Sequence, residues 1–299
     1  MSQTEQGPCV WDKQNEERSL RLLAAQRHTY ARSKRHRYAA LGFAIIPCLV
    51  VIGGTLFAHI DLLVSLLVAS LGWLLGQVLE NDEKNLREKG AAIQEEFDVT
   101  VFGLDWQLMD RQKRPSDEGV SEAARLFRGK RKALLDWYSQ PGSVPYPLSV
   151  LLCQRSNLTW DTGLRQGYSQ ALCWLTFVGF AALVVAGAVR QLMLLDFILQ
   201  VLVPASYPLW DAYSRIRALS SQVADQREAL LVINDLVERG RKDSSIITRE
   251  VLRAVQDRVF QLRQRYLPLP DWWHYRSRDA KQQDMETTVR QLGLPGGCS

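Results

Sequence analysis

The residues with the most chemical character lie between Leu152 and Tyr168, in the run LCQRSNLTWDTGLRQGY. At helical spacing Gln154, Asn157, Asp161, Arg165 and Tyr168 share one face, while Arg155 and Trp160 point elsewhere. Asp161 and Arg165 are four apart, the spacing of a surface ion pair worth roughly a few tenths of a kcal/mol. The same residue types have a second use. A guanidinium grips phosphate and an aromatic ring stacks on a base, so a phosphorylated, base-containing ligand calls for both. Arg155, Trp160 and Arg165 are therefore candidate ligand contacts. The alternative is that Asp161, Arg165 and Trp160 simply hold a fold together.

Other chemistry is sparse. His28, His36, His59 and His274 form no metal spacing, and there is no C-x-x-C pair. H-E-x-x-H, P-loop, G-x-S-x-G and dinucleotide signatures are missing. No catalytic residue, metal ligand or cofactor is assigned, and the expectation is a protein that is not an enzyme. Cys48 and Cys173 fall in apolar stretches, and Cys9, Cys153 and Cys298 are expected to face reducing cytosol.

The elements that must position these residues are set by four stretches with almost no charge. Ala39–Ala58 has 20 residues, Leu62–Leu79 has 18, Ala171–Val189 has 19, and Leu192–Trp210 has 19 with one acid, Asp196. About 20 apolar residues cross a bilayer core as a helix. Connections of three residues (His59, Ile60, Asp61) and two (Arg190, Gln191) predict two membrane hairpins. The polar first 38 residues argue for an uncleaved first span rather than a signal peptide. Of 37 Lys and Arg, 36 lie outside the hairpins and only Arg190 is at an outer turn. The positive-inside rule then puts both termini and the middle segment in the cytoplasm. The expected organisation is a basic helix over 1–38, hairpins over 39–80 and 170–211, and cytoplasmic segments over 81–169 and 212–299. The net charge of +5 is uneven, with +4 in residues 1–38, and that basic run most simply meets anionic lipid headgroups. No DNA or RNA polymer is expected as partner.

The fold class is mainly all-α. Residues 16–37, 80–97, 122–138 and 148–168 read as helices, and 98–106 as a short strand or extended loop. Residues 111–119, with Pro115, read as a polar loop. Beyond the fourth span a stripe continues at Ile216, Leu219, Val223, Gln226, Leu230, Ile233 and Val237, with Gly240 as its stop. This is either packing within the chain or a seam between subunits. A last helix is expected over 245–266, with Val251, Val255, Val259 and Leu262 on one face. Ser65, Ala69, Gly72 and Gly76 share a face of the second span, and Gly72 and Gly76 make a G-x-x-x-G pair for close helix packing. Thr176, Gly179, Ala182 and Ala186 form a comparable row in the third. Both rows are read as packing within one bundle or as subunit contacts. Asp196, Gln200 and Tyr207 form a polar face on the fourth span, near Pro204. That face lines water, or else Asp196 reaches headgroup level.

The chain resembles the four-transmembrane, pore-forming effectors of bacterial anti-phage systems that signal with cyclic oligonucleotides (CBASS; the SMODS-associated four-TM effectors). The stretches that carry the resemblance are Leu22–Lys34 (LLAAQRHTYARSK), Ile93–Trp106 (IQEEFDVTVFGLDW), Asp136–Tyr138 (DWY), Cys153–Arg165 (CQRSNLTWDTGLR) and Pro270–Tyr275 (PDWWHY). The resemblance implies an effector of the bacterial inner membrane. A cyclic oligonucleotide made by a partner nucleotidyltransferase would bind the cytoplasmic part. Subunits would then assemble as a homo-oligomer and breach the bilayer. Alternatives are a small constitutive channel or transporter, and a membrane-anchored scaffold that docks a cytoplasmic partner. The expected topology has a direct check: an impermeant outside reagent should leave Cys298 unlabelled in intact cells, and labelling would reverse the assignment.

Overall fold

The computed structural model describes residues 9–57, 62–138 and 144–273. Every regular element among them is helical: α1 (Val10–Lys13), α2 (Glu17–Phe57), α3 (Leu62–Phe102), α4 (Asp117–Arg125), α5 (Leu148–Val189), α6 (Leu194–Phe197), α7 (Val203–Lys242) and α8 (Arg249–Arg265). Short 3-10 turns cover Leu108–Lys113, Arg131–Ala133 and Ser244–Ile246, and a π-turn covers Ile198–Leu202. The chain divides into two compact units. One gathers Met1–Ala31, Leu86–Leu164 and Gln222–Ser299; the other gathers Arg32–Asn85 and Arg165–Ser221.

In the first unit, helix α3 corrects the expected strand or extended loop over 98–106 as far as Phe102, and residues 104–106 carry no regular structure. The helix leaves Ala91, Glu95, Asp98 and Phe102 buried at spacings of 4, 3 and 4. Val99 and Val101 fit either element, so burial on a helical face decides. Gly103 ends the helix at φ 66°, and the Leu104 N–H reaches back to the Val99 carbonyl at 2.9 Å. That six-to-one bond over a left-handed glycine caps the last turn.

The basic helix expected over 122–138 is also corrected. Ser116 caps α4 by accepting from the Gly119 N–H at 3.2 Å, so the helix starts inside the expected polar loop. It stops at Arg125. The Phe127 ring occupies the space a Cβ on Gly129 would fill, at 2.2 Å. The four cations of Arg128–Lys132 repel one another and gain nothing from a shared helix. Gly240 is not the stop of α7, which runs two residues further. Its bare Cα lets the Ile247 side chain pack, 2.3 Å from where a Cβ would stand. The last helix starts later than expected, at Arg249, with the Thr248 hydroxyl accepting from Val251. The stripe on α7 packs within the chain at Val223, Ile233 and Val237, all buried, and Gln226 donates to Asp161 at 2.7 Å.

The second unit contains the described parts of all four apolar stretches. Residues 58–61, the first hairpin connection, lie outside the described residues, as do the side chains of Ser65 and Ala69. Helices α2 and α5 are each long and apolar enough to cross a membrane. On α5, Trp174, Phe177, Val178, Val185 and Val189 are all more than half exposed, as are Ile46, Leu49, Leu67 and Leu71 on α2 and α3. Soluble monomers do not present apolar surface on this scale, whereas lipid covers it. After α5 the chain turns through Gln191 at φ 52° and brings the Phe197 ring onto Gly187.

Helices α2 and α3 meet closely at Gly72. A Cβ there would stand 2.5 Å from the Phe43 carbonyl oxygen and 2.7 Å from Pro47 Cγ. The contact has a backbone cause. Pro47 has no N–H, so the Phe43 carbonyl four residues earlier lacks its helical partner. Gly72 lays its backbone against that carbonyl. Gly76 faces the Tyr207 hydroxyl, 3.0 Å from a notional Cβ. The smallest residues of α3 are thus used within the chain. Gly179 on α5 has nothing within 4 Å of its notional Cβ. Gly72→Leu should lower the melting temperature in detergent far more than Leu71→Ala, because backbone cannot retreat from a new side chain and Leu71 is exposed. Equal melting curves for the two variants would contradict the contact.

Candidate functional site

The most concentrated polar chemistry in the first unit is internal. Asp98 is wholly buried, and three groups converge on it. The Arg263 guanidinium pairs with Oδ2, the Tyr138 hydroxyl donates to Oδ1 at 2.6 Å, and the Gln256 amide donates to Oδ2 at 3.0 Å. The same Gln256 amide donates to Glu95 Oε2 at 2.7 Å. Arg253 holds Glu95 Oε1 at 2.6 Å. Gln154 donates to Gln256 at 3.1 Å and to the Leu252 carbonyl at 2.9 Å. Asn157 donates to the Tyr138 hydroxyl at 2.9 Å. The network draws on α3, α5, α8 and the segment before Val144. Tyr138 is held from both sides: the Gln14 side chain bonds its N–H and its carbonyl, and the Phe97 and Phe102 rings pack on its ring.

On another face of α3, next in sequence to Glu95, Glu96 forms a second centre. It takes a forked pair of bonds from Arg114, both 2.9 Å, one from Arg18 at 2.9 Å, and one from the Trp106 indole at 2.6 Å. Charges balance locally in the first centre, with Glu95 and Asp98 facing Arg253 and Arg263. Burial acts on each group. It drives Glu95 up to about 7 against the opposing pull of Arg253. Burial and the Asp98 carboxylate both raise Tyr138. Burial opposes the charge on Arg263, but Asp98, Tyr138 and Glu95 together outweigh it and raise its pKa. Among the described residues no group of His, Cys, Asp and Glu is placed to hold a metal ion.

The first two residues of the polar face read from Leu152–Tyr168, Gln154 and Asn157, enter this network from α5. Gln154 is fully buried, Asn157 reaches Tyr138, and Asp161 accepts from Gln226. Arg155 points away, as its spacing predicts, and donates to Asn234 at 2.6 Å. It is part-buried, and that burial lowers its pKa. Trp160 is half-buried in the same unit; Arg165 is buried and belongs to the second unit. On the fourth apolar stretch Gln200 donates to Asp196 at 3.2 Å across the π-turn. Tyr207 sits against Gly76.

Glu95, Asp98, Gln256 and Arg263 were not singled out by the sequence reading. A signal for the last two exists. Leu252, Gln256, Val259 and Arg263 fall at spacings of 4, 3 and 4, so the two polar residues occupy the apolar stripe of α8. A polar residue in such a stripe must find a buried partner.

Four of the motifs quoted above supply this unit's contacts. Ile93–Trp106 brings Glu95, Glu96, Asp98 and Trp106; Asp136–Tyr138 brings the tyrosine; Cys153–Arg165 brings Gln154 and Asn157; Pro270–Tyr275 brings Trp273, whose indole donates to the Leu164 carbonyl at 3.0 Å. The SMODS-associating 4TM effector domain matches residues 8–292. The chain belongs to this family. It is similar to a probable CBASS effector molecule of Bacillus cereus (strain VD146), 26% identical over 292 residues that cover 95% of this chain and 96% of that protein. No solved structure matches. The family is described as an effector domain, and its four-TM character agrees with the exposed apolar helices: this is a membrane protein.

The raised Glu95 has a measurable consequence. Between its ordinary 4.5 and about 7 the folded chain holds a proton that the unfolded chain has lost. The resulting stabilisation is complete below the lower value and disappears as pH rises through the upper one. The melting temperature in detergent should therefore fall between pH 5 and 8, and Glu95→Gln should flatten that slope. An unchanged slope in the variant would assign the pH dependence elsewhere.

Proposed function

We propose that this protein is the membrane effector of an anti-phage signalling system. A cyclic oligonucleotide from a partner nucleotidyltransferase activates it, subunits assemble, and the bacterial inner membrane is permeabilised or depolarised. Family membership over almost the whole chain is the observation that carries this reading. The similar Bacillus protein is described as a probable CBASS effector molecule. The physical features agree: α5 exposes an apolar surface suited to lipid, and the first unit has its own buried apolar core around the polar network. Four spans in two hairpins with cytoplasmic termini remain our topology.

Helices α2, α3, α5 and α7 each contribute residues to both units. A messenger that binds one conformation of the first unit better than another shifts the population by that difference in affinity. Continuous helices give the shift a route into the spans. Arg155, Trp160 and Arg165 stay the proposed messenger contacts. One copy has only four spans, too few to enclose a wide channel, so conduction needs several copies. The polar face Asp196, Gln200 and Tyr207 is proposed to face water or protein in that assembly, since lipid disfavours it.

Purified protein in liposomes should release ions or dye on addition of one member of a cyclic oligonucleotide panel. Leakage without any nucleotide would favour a constitutive channel; no leakage under any condition would favour a scaffold. Arg155→Ala and Arg165→Ala should weaken messenger binding, and normal binding would exclude direct contact. Asp196→Leu should change conductance or selectivity while binding is retained. Wild-type leakage from both Asp196→Leu and Gln200→Leu would remove that face from the pathway.

A further inference from the structure

Within the second unit, three helices are tied by charge at the level where their apolar stretches end. Arg37 stands two residues before Ala39, Glu80 directly follows Leu79, and Asp211 directly follows Trp210. The Arg37 side chain is only 5% exposed. Its Nη1 donates to Glu80 Oε1 and its Nη2 to Asp211 Oδ2, both at 2.7 Å. Arg215 adds a second cation, with Nε 3.0 Å from Asp211 Oδ2. Tyr168 on α5 lies in the field of Arg37 and Asp211. One guanidinium thus joins α2, α3 and α7.

One turn beyond the collar, Ser33 donates to Glu83 at 3.1 Å, so α2 and α3 stay paired on its polar side. On the apolar side, Tyr207 lies one turn before Asp211 on α7 and packs on Gly76 of α3. The polar face that begins at Asp196 therefore leads toward this collar. An arginine fork that bridges two carboxylates on two helices is either formed or broken, and the buried Arg37 cannot be left half-paired cheaply. That is the behaviour of a two-position device rather than of a compliant contact.

We propose that the Arg37–Glu80–Asp211 collar is the closed gate of the conduction path, and that parting it exposes Glu80 to permeating cations. The proposal rests on the effector reading above, and it adds where the path is shut and which ions it admits. When Arg37 parts, Asp211 still holds Arg215, so with several copies assembled the Glu80 carboxylate of each copy supplies the ring of negative charge, the arrangement that selects cations.

The test uses the full chain in liposomes, with ion flux and thermal melting read for the same preparations. Arg37→Gln should conduct without nucleotide about tenfold or more above the wild-type basal rate, a population shift of about 1.4 kcal/mol. Reversing the pair, Arg37→Asp with Asp211→Arg, should return the basal rate toward wild type. Where conduction is seen, Glu80→Gln should reduce the preference for cations over anions. Asp211→Asn repeats the basal-rate test should Arg37→Gln fail to fold. A merely structural collar would lower the melting temperature and leave the membrane tight, and that result overturns the proposal. If wild type responds to no cyclic oligonucleotide, the effector reading fails by itself. A leaking Arg37→Gln would then still establish the collar as a gate, and a tight one would dismiss it.

Discussion

A carboxylate with no access to water constrains the first unit more than any other group. Asp98 is wholly buried, and a buried charge left unpaired costs about 3–5 kcal/mol when one partner of an existing pair is removed. It must be met by a cation and by hydrogen-bond donors, and these arrive from distant parts of the chain: Arg263 and Gln256 from α8, and Tyr138 from the segment before Val144. Each of those groups has further obligations. Gln256 also serves Glu95 and Gln154, and Tyr138 also serves Asn157. Satisfying one charge therefore sets the positions of α3, α5 and α8 together. Apolar packing by Phe97, Phe102, Leu252 and Phe260 surrounds the network but lacks its directionality.

The second unit obeys a different constraint. Its outward residues are apolar, so lipid gives its helices no hydrophobic reason to associate. Close backbone approach and polar pairing must hold them. Pro47 and Gly72 supply the first, since a carbonyl without its helical donor lies against a residue without a side chain. Arg37, Glu80 and Asp211 supply the second. The first device uses residue types that are unfavourable in an ordinary helix interior, and the second takes a charge out of water. Their cost is offset here because each meets its complement on a neighbouring helix.

The two kinds of organisation explain why the family motifs look polar and scattered in the sequence. IQEEFDVTVFGLDW, DWY and CQRSNLTWDTGLR are distant along the chain, yet Glu95 and Asp98 of the first, Tyr138 of the second, and Gln154 and Asn157 of the third belong to one hydrogen-bonded system. A reading by spacing alone treats Asp161–Arg165 as the natural pair on that face. In the fold Asp161 has a further partner, the Gln226 amide, and Gln154 and Asn157 turn inward. Gln226 was legible as a polar member of an apolar stripe, and the structure supplies its partner.

What the sequence determined by itself is what depends on local composition and period. Four apolar stretches, the helical class, the face shared by Gln154, Asn157 and Asp161, and the outward direction of Arg155 all follow from hydropathy and a 3.6-residue repeat. Gly72 as a packing residue follows from its missing side chain and its place on an apolar helix. Tertiary structure decided the rest. Residues 98–102 are helical because their buried face is filled, although their β-branched composition is ambiguous. The basic run after Arg125 leaves the α-helix, and there the Phe127 ring packs into the space beside Gly129. Glu95, Asp98, Arg253, Gln256 and Arg263 acquire meaning only once α3 and α8 are side by side, since partners 158 to 165 residues apart leave no periodic trace. The physical reason is the range of the forces. Hydropathy and backbone preference act on neighbours along the chain, whereas the pairing of buried charges acts between whichever residues folding brings within hydrogen-bond distance.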